Sequence, residues 1–223
     1  MSAKIKLIID TDGVADDIRA ISMAIQHPNV EVLAITTIHG CVNNVQAAAN
    51  VARALRANGV EKCIPIYKGA TAQLIKNTPK REKTWDESAF FGKDGIGDQP
   101  AAFPEVLESD FSCWEPEHAA HAMVRLAREH QNVTIVAIGP LTNLALALKL
   151  DDDFKQSVGR VVNMGGNYQG TGNVNSYTSA EFNFHSDPEA ASIVLSEMEC
   201  PITIVPWELM LHGKHLQKVG IHA

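Results

Sequence analysis

Short β-branched runs alternate with amphipathic stretches along most of the chain, and this alternation restricts the folds open to it more than any other feature. Runs at 6–10, 30–38, 64–67, 133–138, 161–164 and 202–205 predict strands, and the stretches 16–27, 44–58, 117–130, 141–149 and 188–197 between them predict helices. Strands separated by helices imply βαβ crossovers. The expected fold is therefore α/β and Rossmann-like: an open, mainly parallel sheet with helices on both faces. In such sheets ligands bind beyond the carboxyl ends of the strands. One segment breaks the rhythm. Residues 71–112 are polar, contain Gly92, Gly95, Gly97 and Pro100, and exceed an ordinary connection, which predicts a lid or binding loop, or else a disordered stretch.

The rest of the composition narrows the partners. The 223 residues carry 19 Lys and Arg against 26 Asp and Glu, a net charge of −7, with no basic cluster to displace counterions from a nucleic-acid backbone. Nucleic acid is not an expected partner. No apolar run is long enough for a bilayer and Met1 does not open a secretory signal, so the expectation is a cytoplasmic protein that does not contact membrane. Cys41, Cys63, Cys113 and Cys200 are scattered without a Cys-x-x-Cys pair and are expected to be reduced thiols. No repeat or second domain is visible, so residues 1–223 read as one domain.

The first strand runs straight into Asp10-Thr11-Asp12-Gly13-Val14-Ala15-Asp16-Asp17, four carboxylates within eight residues at the mouth of the sheet. Like charges this close raise one another's pKa unless a cation or donors keep them ionised. A hard divalent ion satisfies that demand; calcium accepts irregular oxygen shells and magnesium a stricter octahedron, and the spacing itself does not choose between them. The structural alternative makes Asp16 a helix N-cap and Asp17 a first-turn acid. It leaves Asp10 and Asp12 unexplained. An apolar strand ending in Asp-x-Asp-Gly-Val also resembles the opening of haloacid-dehalogenase-like phosphatases, in which the first Asp accepts a phosphoryl group.

Four later segments bear on the choice: 33–40 (LAITTIHG), 138–143 (IGPLTN), 163–166 (NMGG) and 180–190 (AEFNFHSDPEA). Together with the aspartate cluster, and in this order, they resemble the calcium-dependent nucleoside hydrolases of the inosine-uridine-preferring type. That resemblance implies hydrolysis of the N-glycosidic bond of ribonucleosides to ribose and free base, with Ca2+ as cofactor. By the same resemblance Asp12 is a metal ligand and the base that deprotonates water, Asp17 and the carbonyl of Ile138 are further ligands, and Asp10 supports the site from behind. Asp16 accepts from the ribose 2′-hydroxyl, and Asn175, Glu181 and Asn183 hold the remaining hydroxyls. Dimers or tetramers are implied as well. The residues have plainer readings too: Glu181 and Asn183 as turn residues, Asn143 as a loop buttress, and Asp187 as an N-cap ahead of Pro188.

The chain departs from the family pattern at three places. Cys41 stands where many members have Asn, and Phe91 where many have a His that helps protonate the leaving base. Cys41 is either a proton donor or a small buried filler. The family's downstream His-Asp pair, whose Asp completes the calcium shell, has no counterpart, since no Asp follows Asp187. The competing expectation is thus a shortened relative that keeps the fold and binds nucleoside or ribose, or associates with full-length subunits. His118, His121 and His130 read as helix-surface or packing residues, and His212 and His215 lie in a tail with no readable role.

Overall fold

The computed structural model describes residues 3–60, 63–75, 91–98, 106–174 and 179–211. Seven strands lie in one sheet: β1 (Ile5–Thr11), β2 (Val30–Thr37), β3 (Ile66–Lys68), β4 (Trp114–Glu115), β5 (Val133–Ala137), β6 (Val158–Met164) and β7 (Ile202–Val205). Every pairing among them is parallel, in the order β4-β3-β2-β1-β5-β6-β7. The chain adds strands outward on one side of β1, then returns and adds β5 to β7 on the other. β1 and β5 therefore flank the switch point, where neighbouring connections leave in opposite directions and open a crevice.

Eight helices accompany the strands among the described residues: α1 (Ala15–Gln26), α2 (Asn44–Ala57), α3 (Ala119–His130), α4 (Thr142–Leu150), α5 (Phe154–Ser157), α6 (Phe182–Ser186), α7 (Pro188–Glu197) and α8 (Glu208–Leu211). Strand alternation sends side chains to two cores. Ile8 and Ile135 enter a cluster with Met123 of α3, Leu144 of α4 and Phe154 of α5. Leu7 and Ile9 enter another with Ile21 of α1 and Val51 and Leu55 of α2. Helices thus cover both faces, as the sequence implies. No helix among the described residues is long and apolar enough to cross a membrane.

Differences from the sequence reading have local causes. Strand 64–67 starts late, at Ile66, because Pro65 has no N–H for the ladder, although its carbonyl accepts from Ile35 N–H at 3.0 Å. The helix expected from 117 starts at Ala119, since His118 caps it through Nδ1, which accepts from Ala120 N–H. His121 is exposed, and His130 Nδ1 lies 3.4 Å from Lys6 Nζ. The two-residue β4 and a 3-10 turn at Glu108–Cys113 were not read. Of the long connection, 76–90 and 99–105 lie outside the described residues, as do His212 and His215.

The expectation of four reduced thiols is corrected: Cys63 and Cys113 form a disulfide, with Cα atoms 5.8 Å apart. Each cysteine lies just before a strand, and the pairing of Ile66 with Trp114 sets β3 beside β4, bringing the two together across 50 residues of sequence. Cys41 and Cys200 are free.

Gly13, between β1 and α1, adopts φ +68°, and a Cβ there would sit 2.6 Å from Ala47 Cα on α2. Left-handed backbone and direct contact with a helix together admit only glycine. Gly13→Ala is expected to lower stability by about 2–4 kcal/mol, read as a drop in urea midpoint with unchanged slope. An unaltered midpoint would mean that the turn is not fixed by this contact.

Candidate active site

β1 is buried along its carboxyl half, and Asp10 within it, Asp12 just past its end and Asp17 in the first turn of α1 enter the crevice without solvent around them: Asp10 is 0 % exposed, Asp12 2 % and Asp17 1 %. Asp10 lies deepest. Its Oδ1 accepts from Thr36 Oγ1 at 2.7 Å and from Asn143 Nδ2 at 2.9 Å. Burial raises its pKa to about 7, an effect that these two donors oppose. Asn143 also donates to the Thr37 carbonyl and accepts from Ala70 N–H, so it buttresses three strand ends at once.

Past Gly13 the chain turns into α1, whose N-cap position is Val14, without a capping side chain. The alternative that Asp16 caps the helix is therefore corrected: Asp16 and Asp17 both sit in the first turn, Asp16 at the cavity and Asp17 turned inward. Asp17 Oδ2 accepts from Thr11 Oγ1 at 2.5 Å and Gly13 N–H at 3.0 Å, while its Oδ1 is buried without a hydrogen-bond partner. Burial, then the neighbouring Asp12 and Asp16 charges, push the Asp17 carboxyl well above the usual range. Asp12 Oδ2 accepts from Cys41 N–H at 2.8 Å. Only glycine permits this approach, because a Cβ on Gly40 would fall 2.1 Å from that same oxygen. Cys41 touches Asp12 through its backbone, and burial together with the Asp12 carboxylate pushes its thiol up, so the sulfur stays protonated.

The other side of the switch point comes from β5, β6 and the chain around α6. Ile138 N–H donates to the Asp10 carbonyl, and the Ile138 carbonyl accepts from Asn183 Nδ2 at 3.1 Å. The same Asn183 nitrogen donates to the Met164 carbonyl at 2.9 Å, tying the ends of β5 and β6. Glu181 caps α6: Oε1 accepts from Asn183 N–H, and Oε2 from Phe184 N–H and Gly166 N–H at 3.0 and 2.7 Å. Cβ atoms on Gly165 and Gly166 would lie 2.9 and 2.8 Å from the Phe184 ring, so these glycines admit that ring beneath the loop. Asp187 is an N-cap, for α7, accepting from Ala190 N–H at 3.0 Å.

These residues enclose a cavity of about 370 Å³, within the range of roughly 300–1,000 Å³ common to small-molecule sites. Asp12, Asp16, Cys41, Ile138, Glu181 and Asn183 all line it, with Val14, Phe91, Met164 and Trp207 among the apolar contributors. Asp10 and Asp17 stand behind this wall. Asn175 lies outside the described residues. Asn173, which sequence reasoning missed, lines the cavity, and its Oδ1 is buried without a hydrogen-bond partner. The available signal was the Asn173-Val174-Asn175 doublet, which offers two amides for one role.

No three His, Cys, Asp or Glu side chains gather into a metal cage among the described residues. The donors present are the Asp12 and Asp17 carboxylates and the Ile138 carbonyl, which has a second lone pair beyond the one Asn183 uses. Two carboxylates and a carbonyl, one carboxylate oxygen of them orphaned, suit a hard cation whose remaining positions are filled by water or ligand hydroxyls. The phosphatase reading is not favoured: Asp10, which would have to accept the phosphoryl group, is fully buried and hydrogen-bonded to Thr36 and Asn143.

Known proteins share this architecture. The sequence model of the family described as inosine-uridine preferring nucleoside hydrolase matches residues 7–220. The chain is 38% identical over 191 residues to probable uridine nucleosidase 2 of Arabidopsis thaliana, covering 86% of this chain and 56% of that protein. It is 32% identical over 194 residues to the inosine-uridine preferring nucleoside hydrolase of Leishmania major, covering 86% and 57%. Among solved structures, an inosine-guanosine nucleoside hydrolase superposes with TM-score 0.82 at 35% identity, covering 95% of this chain and 62% of that one. A plant nucleoside hydrolase does so with TM-score 0.79 at 33% identity, covering 97% and 65%. The chain spans a little over half the length of the curated relatives it matches. With nearly all of its residues inside the match and its acids gathered at the sheet's switch point, the chain belongs to the inosine-uridine preferring nucleoside hydrolase family.

Proposed function

We propose that this protein hydrolyses the N-glycosidic bond of ribonucleosides, releasing ribose and free base, at the cavity beside β1 and β5. The observation that carries the reading is the set of buried carboxylates at the switch point, with Asp17 Oδ1 lacking a partner and Asp12 and Asp16 facing the cavity. Similarity to proteins named as uridine and inosine-uridine hydrolases supports the substrate class.

Asp12, Asp17 and the Ile138 carbonyl would hold a calcium ion, which when bound lowers the pKa of a coordinated water. Asp12 takes the proton of the attacking water, its other oxygen steadied by Cys41 N–H. Asp16, at the cavity mouth, accepts a hydrogen bond from the ribose 2′-hydroxyl. The negative wall of Asp12, Asp16 and Glu181 lowers the energy of the oxocarbenium-like sugar as the bond to the base breaks. Asn173 Oδ1, a buried acceptor without a partner, takes a further sugar hydroxyl. Asn183 and Glu181 are already hydrogen-bonded to the backbone, so they act chiefly by shaping the floor, with their free lone pairs available to the sugar. Phe91 and the protonated Cys41 thiol give the base an apolar, weakly acidic surround. Departure of the base therefore depends more on the base itself than on a strong acid among the described residues.

The deciding measurement is ribose released from a panel of nucleosides, with calcium and with chelator. Release that chelator abolishes and calcium restores is expected, and Asp12→Asn is expected to cut kcat by about a hundredfold or more while the folded far-UV spectrum is retained. Nucleoside binding without release would instead favour a catalytically impaired relative, and phosphate release from esters would restore the phosphatase reading. For Asn173→Ala, KM should rise about tenfold with a smaller effect on kcat. An unchanged KM would remove Asn173 from the sugar contacts.

A further inference from the structure

Residues 91–98, one described part of the long connection, form a compact clasp. Asp94 Oδ1 accepts from Ile96 N–H at 2.8 Å and Asp98 N–H at 2.9 Å, and Asp98 Oδ1 accepts from Asp94 N–H at 3.1 Å. Gly97 N–H closes it by donating to the Phe91 carbonyl at 2.6 Å. The clasp carries Phe91 into the cavity wall, where the ring packs with Val14 and Val42. Among the described residues, hydrogen bonds from α1 and α2 dock it outside its own backbone. Ala15 N–H, at the start of α1, donates to the Gly95 carbonyl at 3.0 Å, and Asn50 Nδ2, on α2, donates to the Asp94 carbonyl at 2.8 Å.

Asn50 does more than dock the clasp. The same Nδ2 donates to the Gly13 carbonyl at 3.0 Å, within the turn that sets Asp12 against Asp16 and Asp17. Its Oδ1 accepts from Gln46 Nε2 at 3.1 Å and Arg53 Nη1 at 3.4 Å, which fixes the amide so that the nitrogen faces the two carbonyls. The side chain is 2 % exposed, and one amide nitrogen with two hydrogens is matched to two acceptors from different elements. No hydrophobic or charged side chain of similar size can replace that geometry.

We infer that Asn50 is a positioning residue that latches the Phe91-bearing clasp to the acidic turn at Gly13, so that the apolar wall facing the base and the carboxylates facing the sugar are placed together. Its effect on a ligand deepens the nucleoside-hydrolysis reading and rests on it; its effect on the clasp does not. Asn50→Asp keeps the size but sets a carboxylate oxygen against two carbonyls, and Asn50→Ala removes the donor. Gln46→Ala, which removes neither donated bond and leaves Arg53 Nη1 to orient the amide through Oδ1, is the control.

Lys93 is exposed in the clasp, and Lys149 is exposed on α4, on the other face of the sheet. Limited trypsin digestion, followed by mass, gives the ratio of cutting after Lys93 to cutting after Lys149. The ratio is expected to rise about tenfold or more in Asn50→Asp and Asn50→Ala, the scale of two lost hydrogen bonds, and to stay near that of the unaltered chain in Gln46→Ala. An unchanged ratio, whether from no extra cutting at Lys93 or from equal rises at both sites, would overturn the latch. With nucleoside, Asn50→Asp and Phe91→Ala should each raise KM more than they lower kcat, and the double variant should be no worse than the poorer single one. Additive losses would also overturn it. If the unaltered chain releases no ribose, the hydrolysis reading fails, and the latch is decided by the cutting ratio alone.

Discussion

Like-charged carboxylates gathered in a dry crevice are the constraint around which the rest of this structure is arranged. Asp12 and Asp17 are almost wholly buried, with Asp16 beside them and Asp10 beneath. Burial and mutual repulsion both act to neutralise such groups. The chain answers with donors aimed at single oxygens: the Thr11 hydroxyl and Gly13 N–H on Asp17, and Cys41 N–H on Asp12. Each comes from backbone or a short side chain at a strand end, so its direction is fixed by the sheet. One oxygen of Asp17 and one of Asp10 are left without a partner, and the uncompensated demand at Asp17 is what a cation would meet.

The strand ends that carry these donors are themselves cross-braced. Asn143 joins β1, β2 and the chain after β3. A second brace runs from His39 through Thr142 to Asp187. Thr142 Oγ1 donates to Asp187 Oδ2 at 2.6 Å and lies 3.1 Å from His39 Nε2, so the imidazole carries its proton on that nitrogen. Burial lowers the His39 pKa, against the pull of Asp187 and Asp12, and favours the neutral ring that this arrangement uses. Asp187 also accepts from Leu74 N–H, so the loop after β3 is drawn into the same brace. His39 precedes Gly40 and Cys41, and holding it steadies the amide that faces Asp12.

What was legible in the sequence follows from what is local. The five long strands and the long helices repeat a pattern within a few residues, and the aspartate cluster is contiguous, so both can be read from neighbouring letters. The helix cap at Asp187 was legible for the same reason. β4 was not, because two residues carry no period. The Cys63–Cys113 bond depends on the pairing of β3 with β4 and has no local signature. Asn50 looks like an ordinary polar position on an amphipathic helix until Gly13 and Asp94 arrive from 37 and 44 residues away. Glu181 shows the opposite case, a residue whose letter suggests ligand binding while its carboxylate is largely engaged in capping α6.

The site divides along a physical line. Of the residues proposed to face the sugar, Asp12 stands at the end of β1 and Asp16 one turn into α1, where parallel pairing and two cores leave the backbone little freedom. Asn173 and Glu181 come from the connection after β6. Residues that would face the base, Phe91 and Trp207 among them, come from connections and from the chain after β7. Connections tolerate change because few buried contacts depend on them, whereas a shift of one residue in β1 would turn Asp10 to the opposite face of the sheet. Under the proposed function, the acids of β1 and α1 are thereby held by the part of the fold that cannot vary, and selectivity is left to the part that can. Phe91 and Cys41, the two positions inside the cavity where this chain departs from its family's pattern, illustrate the rule unequally. Phe91 rides on a clasp that can be exchanged, but Cys41 contributes through its amide, which any residue following Gly40 except proline would supply. The amide at position 41 thus survives a change of side chain, although the Cys41 thiol also lies close to the Asp12 carboxylate, and the glycine before it cannot change.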